Sequence, residues 1–241
     1  MSAPFLSIII PAYNEEHRLP HTFDLLFAFL EKQDYQAEVL VVENGSHDRT
    51  YEIAAGFAKR HPHFRVIKNL ERGKGLAVQR GMLEATGKYR FMCDADFSMP
   101  VSEINRFLPP VLDGYNIAIA SREAPGAIRY CEPHYRHFVG RGFNTLIRLM
   151  ALPGLHDTQC GFKCFRADVA EDLFRRQTLN GWSFDVEILF IARKLGYSIL
   201  EIPIPWHFNP DSKIRVVKDS IQMGLDLLTI RKNAILGAYD T

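Results

Sequence analysis

Long apolar runs are missing from this chain. No stretch approaches the roughly 18 uninterrupted apolar residues of a bilayer-crossing helix. The apolar segment Phe5–Ile10 is stopped by Pro11 and a polar run, so it does not read as a signal peptide either. A cytoplasmic protein is expected, with any membrane contact peripheral on the cytoplasmic face. Cysteine is scarce: Cys93, Cys131, Cys160 and Cys164 contain no CxxC pair, which speaks against a zinc site and a disulfide scaffold. Excess charge is missing as well. Lys and Arg number 29 against 28 Asp and Glu, a net charge of +1, so nothing in the whole-chain charge attracts nucleic acid. There is no repeat and no low-complexity tract, and 241 residues with 47% hydrophobic content suffice for one ordinary core.

What is present is an alternation of short β-rich runs and helical periodicities. Phe5–Ile10, Val39–Val42, Phe64–Ile67, Tyr89–Cys93 and Tyr115–Ala120 read as strands. Helices are expected from Glu15 and Glu16 to Leu30, from Asp48 to Arg60, and from Gly73-Lys74-Gly75 onward. Such alternation implies parallel strands joined by crossovers: an α/β fold with a mostly parallel sheet flanked by helices. Beyond Arg122 the order loosens into a basic amphipathic helix within Arg129–Arg148, a strand over Thr158–Phe165, a helix over Phe184–Lys194, a strand over Ile199–Ile202 and a terminal helix over Val216–Ile230. No linker divides the chain, so residues 1–241 are expected to form one domain in two halves, about 1–122 and about 123–241.

Ligands of open parallel sheets bind beyond the carboxyl ends of the strands. Four strands here run into polar groups: Tyr13-Asn14, Glu43-Asn44-Gly45, Asp94-Ala95-Asp96 and Ser121-Arg122. In extended backbone Asp94 and Asp96 point the same way, and two such carboxylates stay ionised together only beside a positive partner. Mg²⁺ or Mn²⁺ bridging them to a diphosphate would supply it. Lys74 and Gly75, at a helix start, offer a cation and backbone N–H groups to an anion, although a Gly-rich turn alone explains them. Asp185 and Glu187 are acids among the apolar residues of a helix, which favours a site role.

In this order, Pro11-Ala12-Tyr13-Asn14-Glu15-Glu16, Glu43-Asn44-Gly45-Ser46, Arg72-Gly73-Lys74-Gly75 and Asp94-Ala95-Asp96 resemble the family 2 inverting glycosyltransferases of the Rossmann-like GT-A fold. The strings Asp157–Lys163 and Trp182–Glu187 are similar to the dolichyl-phosphate β-glucosyltransferase branch, with the mannose synthases next. The usual Asp-Asp-Gly-Ser is here Glu43-Asn44-Gly45-Ser46. The resemblance implies that Pro11, Tyr13, Glu15, Glu43, Gly45 and Ser46 bind the nucleotide. Lys74, Gly75 and Ala95 complete the donor site. Asp94 and Asp96 would hold the metal, with Asp96 the more direct ligand. Arg122 and Arg136 would bind phosphate, joined on the acceptor side by Arg141, Trp182 and Asp185. Asp157 and Gln159 would approach the transferred sugar.

The expected reaction moves a hexose, glucose before mannose, from UDP-glucose or GDP-mannose to a polyprenyl or dolichyl phosphate with inversion. A sugar-hydroxyl acceptor would need a general base, for which Asp157, Asp185 and Glu187 are candidates. A phosphate acceptor is already anionic and needs cations instead, which Arg129, Arg136, Arg141 and Arg148 provide. A sugar nucleotidylyltransferase would carry a Gly-rich loop where Pro11-Ala12-Tyr13-Asn14 stands. A non-catalytic nucleotide-sugar sensor is the third reading, against which the intact acidic pair argues.

Overall fold

Side chains of successive strand residues face opposite ways, and the first strand uses both sides. Along β1 (Leu6–Ala12), Leu6, Ile8, Ile10 and Ala12 enter one buried cluster while Ile9 enters another. A sheet buried on both faces results, as parallel strands require. The computed structural model describes residues 3–210 and 216–240, without the side chains of 134–139 and 216–218.

The other strands of the main sheet are β2 (Ala37–Asn44), β3 (Phe64–Asn69), β4 (Tyr89–Met92), β5 (Ile117–Ser121), β7 (Lys163–Arg166) and β8 (Ile199–Pro203). Their order is β3-β2-β1-β4-β7-β5-β8. A separate two-stranded ribbon pairs β6 (Ile128–Tyr130) with β9 (Pro205–His207). Helices α1 (Leu19–Leu30) and α2 (Thr50–Ala58) bury Phe23, Leu26 and Ala54 on one face of the sheet. Helices α3 (Lys74–Glu84), α5 (Ala167–Arg175), α6 (Phe184–Lys194) and α7 (Val216–Ile235) cover the other, joined by Ile147 of α4 (His134–Met150).

Three features depart from the sequence reading. First, β7 runs antiparallel to both of its neighbours, β4 and β5, while the other strand pairs are parallel. The strand expected over Thr158–Phe165 is correspondingly short, because residues before Lys163 form the loop that enters the sheet from its carboxyl edge. Second, α5 follows β7 without a break, and Val169, Ala170, Leu173 and Phe174 at spacings of one, three and one carry its buried side. Third, Glu15 and Glu16 do not open α1. Their backbone N–H groups donate to Thr50 Oγ1 at 2.7 Å and Asp48 Oδ2 at 3.1 Å, and the helix starts at Leu19-Pro20, where a proline costs no hydrogen bond. Cys160, Phe162 and Cys164 all enter the cluster that holds Phe91 and Phe107.

This topology fixes where a ligand sits. From β1 the chain winds outward through β2 and β3, then returns to place β4 on the other flank of β1. The carboxyl ends of β1 and β4 therefore flank a topological switch point, where open α/β sheets form their crevice.

Candidate active site

A cleft of about 960 Å³ opens at that switch point. Tyr13 follows β1 and Asp94-Ala95-Asp96 follows β4, so both reach the wall from strand ends. Ala95 points into the core, and its carbonyl accepts a hydrogen bond from Thr22 Oγ1 of α1 at 2.6 Å. That anchor leaves Asp94 and Asp96 on the cleft side. Lys74, at the first turn of α3, places Nζ 2.7 Å from Asp94 Oδ1, a half-exposed pair at 19% and 35%. Burial would raise the Asp94 carboxyl, but the adjacent ammonium outweighs it and holds it below the ordinary value. Asp96 goes the other way: burial and the neighbouring Asp94 charge raise it. Its Oδ1 accepts the Ser98 N–H at 3.0 Å, and no cation pairs with it among the described residues.

The antiparallel β7 completes this wall. Its register sets Lys163 beside Met92, so the loop before it lies against the Asp94 turn. At Gly161 a Cβ would stand 2.1 Å from Asp94 Oδ2. Only glycine lets the acidic residue keep its place. Behind the wall, Lys163 is 2% exposed, and its Nζ donates to Asp185 Oδ1 and the Cys160 carbonyl, both at 2.6 Å. Burial raises the Asp185 carboxyl, opposed by Lys163 and Lys74.

A second cation sits across the cleft. Arg122 follows β5, and its Nε and Nη2 grip Asp157 at 2.6 and 3.0 Å, a bidentate fork. Asp157 is fully buried. Burial alone would raise its carboxyl, but Arg122 drives it down to about 2. Arg122 Nη1 makes no hydrogen bond among the described residues, and the side chain lines the cleft. The Trp206 ring of β9 lies 5.4 Å from the Arg122 guanidinium and 5.7 Å from that of Arg129. Arg129 is itself clasped by Glu123 and Glu132.

The expected donor-side residues divide into two groups. Pro11, Tyr13, Glu15, Lys74, Asp94, Ala95 and Asp96 stand on the cleft wall. Glu43, Gly45, Ser46 and Gly75 do not. Glu43 is buried and receives the Ser46 N–H, while the Ser46 hydroxyl accepts the Asn14 N–H at 3.0 Å. They shape the loop beneath Tyr13. Gly75 lies under the wall, where a Cβ would come 2.7 Å from the Leu179 carbonyl and from Phe184 Cβ.

On the acceptor side Arg122, Gln159, Trp182 and Asp185 line the cleft. Arg141 is exposed on α4 outside it, and the side chain of Arg136 lies outside the described residues. Asp157 and Glu187 are both 0% exposed and neither lines the cleft. Glu187 accepts the N–H groups of Thr178 and Leu179 at 3.1 and 2.8 Å and the Tyr239 hydroxyl at 2.8 Å. It ties the terminal segment to the loop that carries Trp182.

Sequence reasoning gave no role to Arg72, whose guanidinium lies 4.2 Å from the Tyr13 ring centre, or to the buried Lys163. A lysine between Phe162 and Cys164 in an apolar run was the available signal.

The profile of Glycosyl transferase family 2 matches residues 7–174, which include the acidic pair and the Gly161 loop. The chain belongs to Glycosyl transferase family 2. As a family 2 member it is an enzyme, a glycosyltransferase, and its sheet is that of the GT-A fold. Dolichyl-phosphate β-glucosyltransferase of Drosophila melanogaster is 36% identical, the alignment covering 97% of this chain and 76% of the fly protein. The human protein of that name is 33% identical over 97% and 77% of the two chains. Among solved structures, glucosyl-3-phosphoglycerate synthase from Mycobacterium tuberculosis with Mn²⁺, UDP and glucosyl-3-phosphoglycerate has a TM-score of 0.69 at 18% identity, over 94% of this chain and 80% of that one. Mannosyl-3-phosphoglycerate synthase from Rubrobacter xylanophilus gives 0.69 at 18% identity, over 97% and 75%. These two similarities concern the fold.

A divalent ion fits the residues of this family 2 cleft. Two carboxylates share it, one lacks a cation partner, and no third His, Cys, Asp or Glu converges on them among the described residues. That is the donor set magnesium takes together with phosphate oxygens.

Proposed function

We propose that this enzyme transfers glucose, with inversion, from UDP-glucose to a polyprenyl or dolichyl phosphate at the cytoplasmic face of a membrane. The relatives named above support the sugar and the acceptor. One observation carries the reading. Each carboxylate that the sequence offered as a general base is already engaged: Asp157 by Arg122, Asp185 by Lys163, and Glu187 by its ring of donors. A sugar-hydroxyl acceptor would call on such a base, whereas a phosphate monoester is already a nucleophilic anion near neutral pH.

In this reading Tyr13 and Arg72 frame the nucleotide. Asp94 and Asp96 hold Mg²⁺ or Mn²⁺, which when bound with the donor stabilises the negative charge developing on the departing diphosphate. Lys74 leans on Asp94 from the α3 terminus, where its charge is kept: burial opposes it, and Asp94 and Asp185 more than compensate. Gln159 and Asp185 face the sugar. Asp157 orients Arg122 so that Nη1 is offered to the acceptor phosphate. Asp157 is thus a positioning residue, not a base.

Incubation with Mg²⁺ or Mn²⁺, polyprenyl phosphate and UDP-glucose, GDP-mannose or UDP-GlcNAc in turn tests this. UDP release should require both the lipid phosphate and Asp96, and Asp96→Asn should lower it by about 10²–10³-fold. Release without lipid dependence would remove the phosphate acceptor, and release only from GDP-mannose would replace the sugar.

A further inference from the structure

Helices α4 and α7 each present two faces. On the inner side Phe143 and Asn144 of α4 and Ser220 and Met223 of α7 line the cleft, while Ile147, Leu227 and Ile230 sink into the core. On the outer side α7 carries Ile221, Leu225, Leu228 and Ile235, each more than half exposed. Their spacings of four, three and seven put them on one stripe of a 20-residue helix. Leu149 of α4 adds a side chain 80% exposed, with Leu146 one turn away. The two helices pack against one another, and exposed apolar residues in this number mark a site of interaction. Around it stand Arg148, Arg231 and Lys232, all exposed and in no ion pair among the described residues. No Asp or Glu is among the exposed residues of these two helices that are described.

We propose that the outer face of α4 and α7 seats the enzyme on an anionic lipid bilayer, so that a membrane-borne acceptor enters the cleft along the inner faces of the same two helices. The inference rests on the lipid-phosphate reading of the acceptor above. Charge chooses the occupant. In a symmetric pair of copies this patch would face itself, setting cations against cations with no exposed Asp or Glu among the described residues of either helix to pair them. Against acidic headgroups every cation around the stripe is attracted while the leucines enter the interface. No described helix is long and apolar enough to cross a membrane, and a helix lying in the interface plane does not need to be.

Flotation with vesicles of phosphatidylcholine, with and without phosphatidylglycerol and free of any acceptor, tests the docking alone. The wild-type chain should float with the anionic vesicles and mostly stay behind with the neutral ones. The double variant Leu225→Glu, Leu228→Glu should bind the anionic vesicles about tenfold less or worse. Its UDP release with a short-chain, detergent-dispersed polyprenyl phosphate should stay within about twofold of wild type, because neither residue lines the cleft. Wild-type protein that floats with neither vesicle, or a variant that floats as well as wild type, would overturn the proposal. So would a wild-type dimer in gel filtration that the variant dissolves, since the face would then belong to a second copy. Vesicle binding that persists without any lipid-dependent UDP release would leave the docking face standing and remove the acceptor reading instead.

Discussion

The cleft holds two acid–cation pairs that look alike in sequence and differ in depth. Lys74–Asp94 is open: both partners are accessible, and a third acid, Asp96, sits beside them with no ion pair among the described residues. Arg122–Asp157 is closed: the carboxylate is sealed, doubly gripped and driven to about 2. Each acid follows or adjoins a strand end, yet the first can exchange its partner for a ligand and the second cannot. Charge in an active site thus has two uses here, one to be given to substrate and one to hold another group still. Burial separates them.

The contrast breaks most visibly at the closed pair. Asp157→Asn leaves a mostly buried guanidinium without its counter-charge, so unfolding in urea should show a loss of about 3 kcal/mol. In the same variant the acceptor KM should rise well beyond the donor KM, because Arg122 loses its orientation.

At the open pair the cost falls on function. Lys74→Met should leave the urea midpoint nearly unchanged and lower kcat/KM for the donor by about 10–100-fold, the value of one charged hydrogen bond. Without nucleotide, the variant should bind Mn²⁺ more tightly than wild type in a direct titration, because Asp94 is released from its ammonium.

Acid titration sharpens the difference further. Asp157 has a folded value near 2 against an ordinary 3.8. Its contribution is complete above pH 4 and is lost as the pH falls toward 2. Wild-type stability should therefore drop by about 2 kcal/mol across that window, a segment missing from Asp157→Asn. The smallest effect is expected at the nucleotide rim, where Tyr13→Ala should raise the donor KM by about tenfold, a stacking-sized loss.

The acids at the open pair were legible in sequence; their lysine partner and the closed pair were not. Asp94 and Asp96 announce themselves because strand periodicity predicts a shared direction and the apolar run before them predicts a strand end. The partner of Asp157 lies 35 positions away, and no local period connects them. Their meeting depends on β7 entering the sheet backwards, which brings the 157–162 loop to the carboxyl edge. The pairing of Lys163 with Asp185, 22 positions apart, escaped the sequence for the same reason. Helix α5 is a different case: its apolar spacing was present, but with no glycine or proline between β7 and the helix, nothing marked where one period gave way to the other. The alternating order of Leu6–Ile67, by contrast, sufficed to place three strands and their crossovers.

Gly161 constrains how the site can change. Because a single methyl group there would occupy the space of an Asp94 oxygen, the acidic pair and the reversed strand can change only together. The place where a neutral, uncharged alteration would silence the enzyme is therefore not among its acids at all, but in the one residue opposite them that has no side chain. An alanine at that position would make a twin identical in charge, suited to studying what the protein holds when it cannot react.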